Sequence, residues 1–382
     1  MREGERVTPL ELFFDLVFVL ALTECTTLMA SGRVSPGLGV AEGLAALAVL
    51  WWAWVGYAWL TSVVDPEEGA VRLVIFAAMA AMLVAAMYVP RAFGDAALLF
   101  ACAYAVVRGA HIMLFLLASR EDAALRHSVL GLAGSTAIGV ALLILAAFSG
   151  GVLRGVLWGL AVVLDAGGPF LFGAEGWRLV PGHFAERHGL IVLIALGESI
   201  VALGIGAQVG VEVGVVLAAV LGVAVAAALW WTYFDVVAIV AERHLAGMAP
   251  GREQNELARD SYSYLHFLMV AGIALIALGL RRTLDHVGDP LGTVPTAALL
   301  GGAATYLLAH VGFRLRNLGT LNRQRLFCAL LLVALVPAVV ALKLPSLATL
   351  AILAAILASL ILYEALRFAE ARDRVRHGPV RQ

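Results

Sequence analysis

Residues 213–234 read VGVVLAAVLGVAVAAALWWTYF, and no charged side chain interrupts them before Asp235. A hydrocarbon core about 30 Å thick is crossed by about 20 apolar residues in an α-helix, so this stretch is read as a transmembrane helix. Working outward, runs of similar length bounded by Pro, Gly or charge recur at approximately 8–29, 37–61, 70–89, 95–117, 126–148, 152–172, 186–208, 213–240, 260–281, 294–315, 324–342 and 346–368. The pattern predicts an all-α integral membrane protein of about twelve transmembrane helices. Composition agrees: 62% of the 382 residues are hydrophobic and 14% charged, against roughly 45–50% and about 25% in soluble domains. A soluble enzyme is excluded.

The apolar run behind Met1 to Arg6 carries Glu11, Asp15 and Glu24 and has no small-residue cleavage site, so it is read as a mature span rather than a signal peptide. Cys25, Cys102 and Cys328 all lie in apolar segments and are expected to be buried between helices, without disulfides or a metal motif. The net charge of −1 favours no charged partner, and nucleic acid is not expected to bind.

With twelve helices, nineteen of the 26 basic residues fall on the side of the two termini and six on the other, Arg108 lying inside a helix. The positive-inside rule then places both termini in the cytoplasm. Two halves also match in order. LVFVLALTE (Leu16–Glu24) aligns with LIVLIALGE (Leu190–Glu198), Leu50-Trp51-Trp52 with Leu229-Trp230-Trp231, and Ala110-His111 with Ala309-His310. The expected organisation is a six-helix repeat over 1–172, a cytoplasmic linker over 173–185, a second, like-oriented repeat over 186–368, and a basic cytoplasmic tail over 369–382.

Ionisable side chains at a helix centre cost about 2.5–3.5 kcal/mol on insertion scales and usually face a bundle interior or a wet cavity. Glu24 and Glu198, equivalent in the alignment, are the candidate ion pathway or gate. Asp15, Arg108, His111, Asp165, His188, Asp235, His266 and His310 are expected to line a cytoplasmic vestibule. The competing reading is that these groups pair to fix packing, Arg108 with a carboxylate and His111 or His310 with a backbone or side-chain oxygen. Glu11 and Asp15 share a face of the first helix and Glu24 lies on the opposite one, so different partners are expected for them.

His183 and His188 are five residues apart, about 140° around a helix, and cannot clamp a metal as an i, i+4 pair can. No cofactor and no metal are expected, and the one lysine, Lys343, belongs to no phosphate-binding loop. Gly151, Gly155 and Gly159 form a small-residue ridge expected to let the sixth helix approach a neighbour. The tryptophan pairs are read as bundle packing.

Three motifs resemble the bacterial low temperature requirement protein A family: RVTPLELFFDLVFV (Arg6–Val19), ERHGLIVLIALGESI (Glu186–Ile200) and WWTYFD (Trp230–Asp235). The resemblance implies a bacterial inner-membrane protein connected with growth in the cold, and supplies no site residues. FDLVFVLALT (Phe14–Thr23) is similar to the F-S-D stretch that opens each six-helix repeat of the endolysosomal and bacterial potassium-channel family, which implies that helices one and seven line a pathway. Here Phe14 stands in place of the Ser, Leu16 in place of the Gly, and Gly189 replaces the Asp in the second half.

The leading expectation is a monovalent-cation or proton pathway, channel or transporter, along helices one and seven. Partners are membrane lipids and the ion, with self-association left open. The rivals are a transporter of a small organic solute, an intramembrane enzyme on a lipid or isoprenoid using His111, His188 or His310, and a non-transporting sensor.

Overall fold

The computed structural model describes residues 6–31, 35–171, 175–206 and 212–377. The side chains of 203, 205, 206 and 377 are outside that description. So are Arg2, Arg33 and Arg381 of the charge count, the last residues of the sixth and seventh expected spans, and parts of the expected linker and tail.

Among the described residues the chain is helical and forms no β-strand. Its helices are α1 (Pro9–Ser31), α2 (Pro36–Leu60), α3 (Gly69–Tyr88), α4 (Ala97–Ala118), α5 (Ala123–Ala147), α6 (Gly151–Leu171), α7 (Pro181–Gly206) and α8 (Val213–Phe234). They continue as α9 (Val237–Ala246), α10 (Arg252–Ala258), α11 (His266–Asp285), α12 (Thr293–Leu318), α13 (Arg323–Ala341), α14 (Ser346–Arg367) and α15 (Ala369–His377). A π-helical stretch, Arg259–Leu265, joins α10 to α11. Eleven helical runs among the described residues are long and apolar enough to cross a membrane, with α8–α9 and α10–α11 each counted as one. The chain is therefore an all-α integral membrane protein. α7 is outside those eleven.

The expected spans and the helices agree within a few residues except at two places. The eighth span breaks at Asp235–Val236, where α8 hands over to α9, and the ninth begins earlier because α10 and the π-helical stretch precede α11. Helix starts have local causes. Thr8 and Glu11 form a capping box at α1: the Thr8 amide donates to Glu11 Oε2 at 2.9 Å and the Glu11 amide to Thr8 Oγ1 at 3.4 Å. Pro9, which lacks an N–H, occupies the first helical position, where none is needed. Ser35, Asp122 and Asn322 cap α2, α5 and α13 in the same way through one side-chain oxygen each.

The chain divides into two compact units, residues 1–187 with 248–259, and residues 188–247 with 260–382. In the first, α1 packs on α2 and α3, and α3–α4, α4–α5 and α5–α6 are successive neighbours, with α2 also against α6. In the second, α11–α12, α12–α13 and α13–α14 are successive neighbours, with α8 against α14.

Two expectations about packing are corrected. A Cβ added at Gly151, Gly155 or Gly159 would meet nothing within 4 Å, so that ridge brings no helix close. The close approach of α6 to α5 is made by Gly139 and Gly168, whose added Cβ atoms would lie 3.0 Å from Asp165 Cβ and collide with Ser135 Oγ. Cys25 is buried, but Cys328 is half-buried and Cys102 is exposed, because its side of α4 is turned outward.

Candidate functional site

In the first unit, two polar clusters interrupt the apolar interior. One ties the start of α1 to α2 and to the start of α7. Arg187 donates through Nη2 to Asp15 Oδ1 at 3.1 Å, and through Nη1 to the Tyr57 carbonyl at 3.1 Å and to Thr61 Oγ1 at 2.8 Å. Trp54 Nε1 donates to the same Asp15 oxygen at 2.7 Å. Glu11 Oε1 accepts from His183 Nε2 at 2.8 Å and lies 3.5 Å from Arg187. All four ionisable groups are buried, and the guanidinium is stacked 5.6–5.8 Å from the rings of Trp54 and Phe14. Arg187 offsets part of the carboxylate charge and both carboxylates are hydrogen-bonded, which lowers the cost of such burial. Glu11 and Asp15 therefore share a cation, and Glu24 is not part of the cluster.

The second cluster ties α4 to α5 and α6. Arg108 Nη2 lies 2.8 Å from Asp165 Oδ1 and 2.6 Å from Thr136 Oγ1, whose own hydroxyl is 2.8 Å from the same carboxylate oxygen. Tyr104 donates to the other oxygen at 2.6 Å. Arg108 Nη1 faces His111 Nδ1 at 3.4 Å; since a guanidinium only donates, that nitrogen is the acceptor and Nε2 carries the proton. Gly56 makes room for both, because a Cβ there would lie 2.8 Å from Arg108 Nη1 and from the His111 ring. The partner of Arg108 is thus Asp165, not Glu24.

The second unit holds a corresponding set. Arg325 on α13 grips Glu364 on α14 through Nε and Nη2, both at 2.9 Å, while Nη1 donates to the Thr232 carbonyl and to His310 Nδ1, each at 3.0 Å. Beside it, His266 donates from Nδ1 to the Ser261 carbonyl at 2.9 Å, presented by the π-helical stretch, and its Nε2 accepts the Tyr233 hydroxyl at 2.8 Å. His188 packs its ring 5.3–5.4 Å from those of Tyr262 and His266. At the break after α8, Asp235 holds Arg372 at 2.7 Å and Arg376 at 3.3 Å, both on α15.

The ten candidate residues thus fall into separate groups. Arg108, His111 and Asp165 come together in one unit, and His188 and His266 in the other. His310 and Asp235 line one cavity, and Asp15 sits apart on Arg187. Glu24, two-thirds along α1, is half-buried and has no hydrogen-bond or ion partner among the described residues. Glu198, on α7 in the second unit, is buried. No group of three His, Cys, Asp or Glu side chains among the described residues is placed to hold a metal ion. Sequence reasoning passed over Glu11, His183, Arg187, Arg325 and Glu364 as site residues, although Glu11 and Arg187 stand inside the quoted motifs.

Those motifs now have a physical reading: the first, with Glu11 and Asp15, closes on Arg187 of the second. Residues 6–362 match the family model described as bacterial low temperature requirement A protein. The chain belongs to this family. It is also similar to an uncharacterized protein, RA0937, of Rhizobium meliloti (strain 1021), with 32% identity over 310 residues, covering 78% of this chain and 74% of that one. No solved structure matches.

Proposed function

We propose that this low temperature requirement A family member is a multi-pass transport protein of the bacterial inner membrane, with both termini cytoplasmic. It carries a proton or a monovalent cation along α1 and α7, with Glu24 and Glu198 as the titrating carboxylates. The observation that carries the reading is the contrast among carboxylates. Glu11, Asp15, Asp165 and Glu364 are each held by an arginine or a histidine, whereas Glu24 has no such partner among the described residues. An intramembrane carboxylate without a fixed counter-charge is neutralised by a proton or a mobile cation, and a group that exchanges such a partner is the minimal element of an ion pathway. The similarity of Phe14–Thr23 to the opening helix of a potassium-channel family supports the same helix.

The test is flux into liposomes under defined potassium, sodium and proton gradients, read with a pH dye, for the wild type, Glu24→Gln and Glu198→Gln. Glu24→Gln should leave thermal unfolding unchanged, and each substitution should lower flux or shift its pH dependence by about a unit or more. Folded variants whose flux equals wild type at every pH would overturn the reading. Cysteine labelling at the two ends checks the orientation.

A further inference from the structure

The second unit contains a partly open cavity of about 270 Å³ where α8 passes into α9, bordered also by α12, the start of α13, α14 and α15. Its walls are mainly apolar, with Val236, Val237, Val240, Phe313 and Phe368 prominent. That size is just below the roughly 300–1,000 Å³ of drug-sized ligand pockets, and the mostly apolar lining with a few placed polar groups is typical of them.

The polar groups define what fits. Trp231 Nε1 and His310 Nε2 belong to residues lining the cavity, and both atoms are buried without a hydrogen-bond partner among the described residues. An indole nitrogen can only donate. His310 is also a donor at Nε2, because Arg325 occupies its Nδ1 from the donating side. Two N–H groups therefore lack acceptors, each at a cost of about 1–3 kcal/mol when nothing supplies one. Asn317 Oδ1, also unpartnered, fits water or a hydroxyl. The two carboxylates on the wall do not invite a cation, since Glu364 is gripped by Arg325 and Asp235 by Arg372 and Arg376. Arg314, Arg325 and Arg372 against Asp235 and Glu364 leave the wall with one excess positive charge. Arg372 also lies 5.1 Å above the Trp231 ring, which keeps positive potential beside that N–H.

We infer that this cavity binds a small organic carboxylate with an apolar body, its oxygens accepting from Trp231 Nε1 and His310 Nε2 and its body against the valine and phenylalanine wall. The site is independent of the ion pathway along α1 and α7.

The full chain in lipid nanodiscs is titrated by calorimetry with hexanoate, hexanol and hexylamine, after subtracting heats from empty nanodiscs. Hexanoate should bind saturably, hexanol at least about tenfold more weakly, and hexylamine not at all. Trp231→Phe keeps an aromatic ring and removes the donor, and should weaken hexanoate about tenfold or more, as expected for a hydrogen bond to a charged group. Val237→Phe fills the cavity without touching any hydrogen bond and should abolish binding, which keeps the test decisive if Trp231→Phe does not fold. Hexanoate heats equal to those of empty nanodiscs, hexylamine binding as well as hexanoate, or folded variants that both retain wild-type affinity would each overturn the proposal.

Discussion

The arginine–carboxylate–histidine sets of the two units use the same chemistry with the cation moved. In the first unit Arg108 is three residues before His111 on the same helix, whereas in the second Arg325 comes from the helix after the one that carries His310. Both present a guanidinium to the histidine Nδ1 and a carboxylate from the last long helix of the unit. Their surroundings differ. Gly56 lets α2 close against Arg108 and His111, while the residue that the tryptophan pairs align with it is Asp235, which turns to α15 and borders a cavity. The Arg108–Asp165 pair is the more buried, at 1% and 5% side-chain exposure, although Arg108 and Thr136 border a groove between α4 and α5; the Arg325–Glu364 pair is 7% and 14% exposed beside its cavity.

The largest effect that separates them is loss of the arginine. Arg108→Ala should lower stability by about 3–5 kcal/mol, because it strands Asp165 in an interior where its remaining donors are neutral. Arg325→Ala should cost less, about 2 kcal/mol, since the Glu364 side chain is 14% exposed and borders the cavity, between the buried and surface limits. Thermal unfolding of both variants in one detergent checks this, and equal costs would break the distinction between the more and the less buried set. Replacing the pair together, Arg108→Met with Asp165→Leu, should be milder than Arg108→Ala, because no charge is left alone.

A middle-sized effect tests the role of Gly56. Gly56→Ala should cost about 1–3 kcal/mol by pushing on Arg108 and His111, while Gly109→Ala on the neighbouring helix, with nothing within 4 Å, should be neutral or slightly stabilising. Equal stability of the two variants in a common unfolding assay would mean that α2 can shift, and that the first set is less tightly packed than its distances imply.

How far the sequence could be read depends on the range of the cause. Helix positions were legible because span length and caps such as Thr8–Glu11 act within a few residues. The arginine–carboxylate pairs were not, because Asp15 and Arg187 are 172 residues apart and Arg108 and Asp165 are 57 apart. Arg187 and Arg325 stand at helix starts, where a positive charge looks like a loop residue facing the cytoplasm; only the packing shows them turned inward. Asp165 and Arg108 were both recognised as costly charges, but hydropathy has no means of joining them. The glycines mislead in the opposite direction. A regular G-x-x-x-G spacing on α6 faces open space, while Gly56, Gly139 and Gly168, which belong to no such repeat, sit where an added Cβ would meet a neighbour at 3.0 Å or closer.

The smallest effect on global stability should come from Asp235→Asn, and it is also the most local. Asp235 is the anchor of α15, taking Arg372 at 2.7 Å and Arg376 at 3.3 Å, yet Arg376 is half exposed and the helix end lies outside the apolar core. Asp235 and Arg372 are only 9% and 15% exposed, but asparagine keeps an acceptor oxygen for both arginines, so the cost should be about 1 kcal/mol and the unfolding midpoint should move little. Nine residues of helix, by contrast, are too few to persist unaided in water, and α15 should fray once its anchor is neutral. Trypsin should then cut after Arg372, Arg374 or Arg376 several times faster than in wild type, and amide exchange over 369–377 should rise while α12 and α14 keep their protection. If tryptic cleavage of Asp235→Asn stays at the wild-type rate, α15 is held by the stacking of Arg372 on Trp231 and by the bond from Arg243 to the Val375 carbonyl instead, and Asp235 is then a wall of the cavity rather than the latch across it.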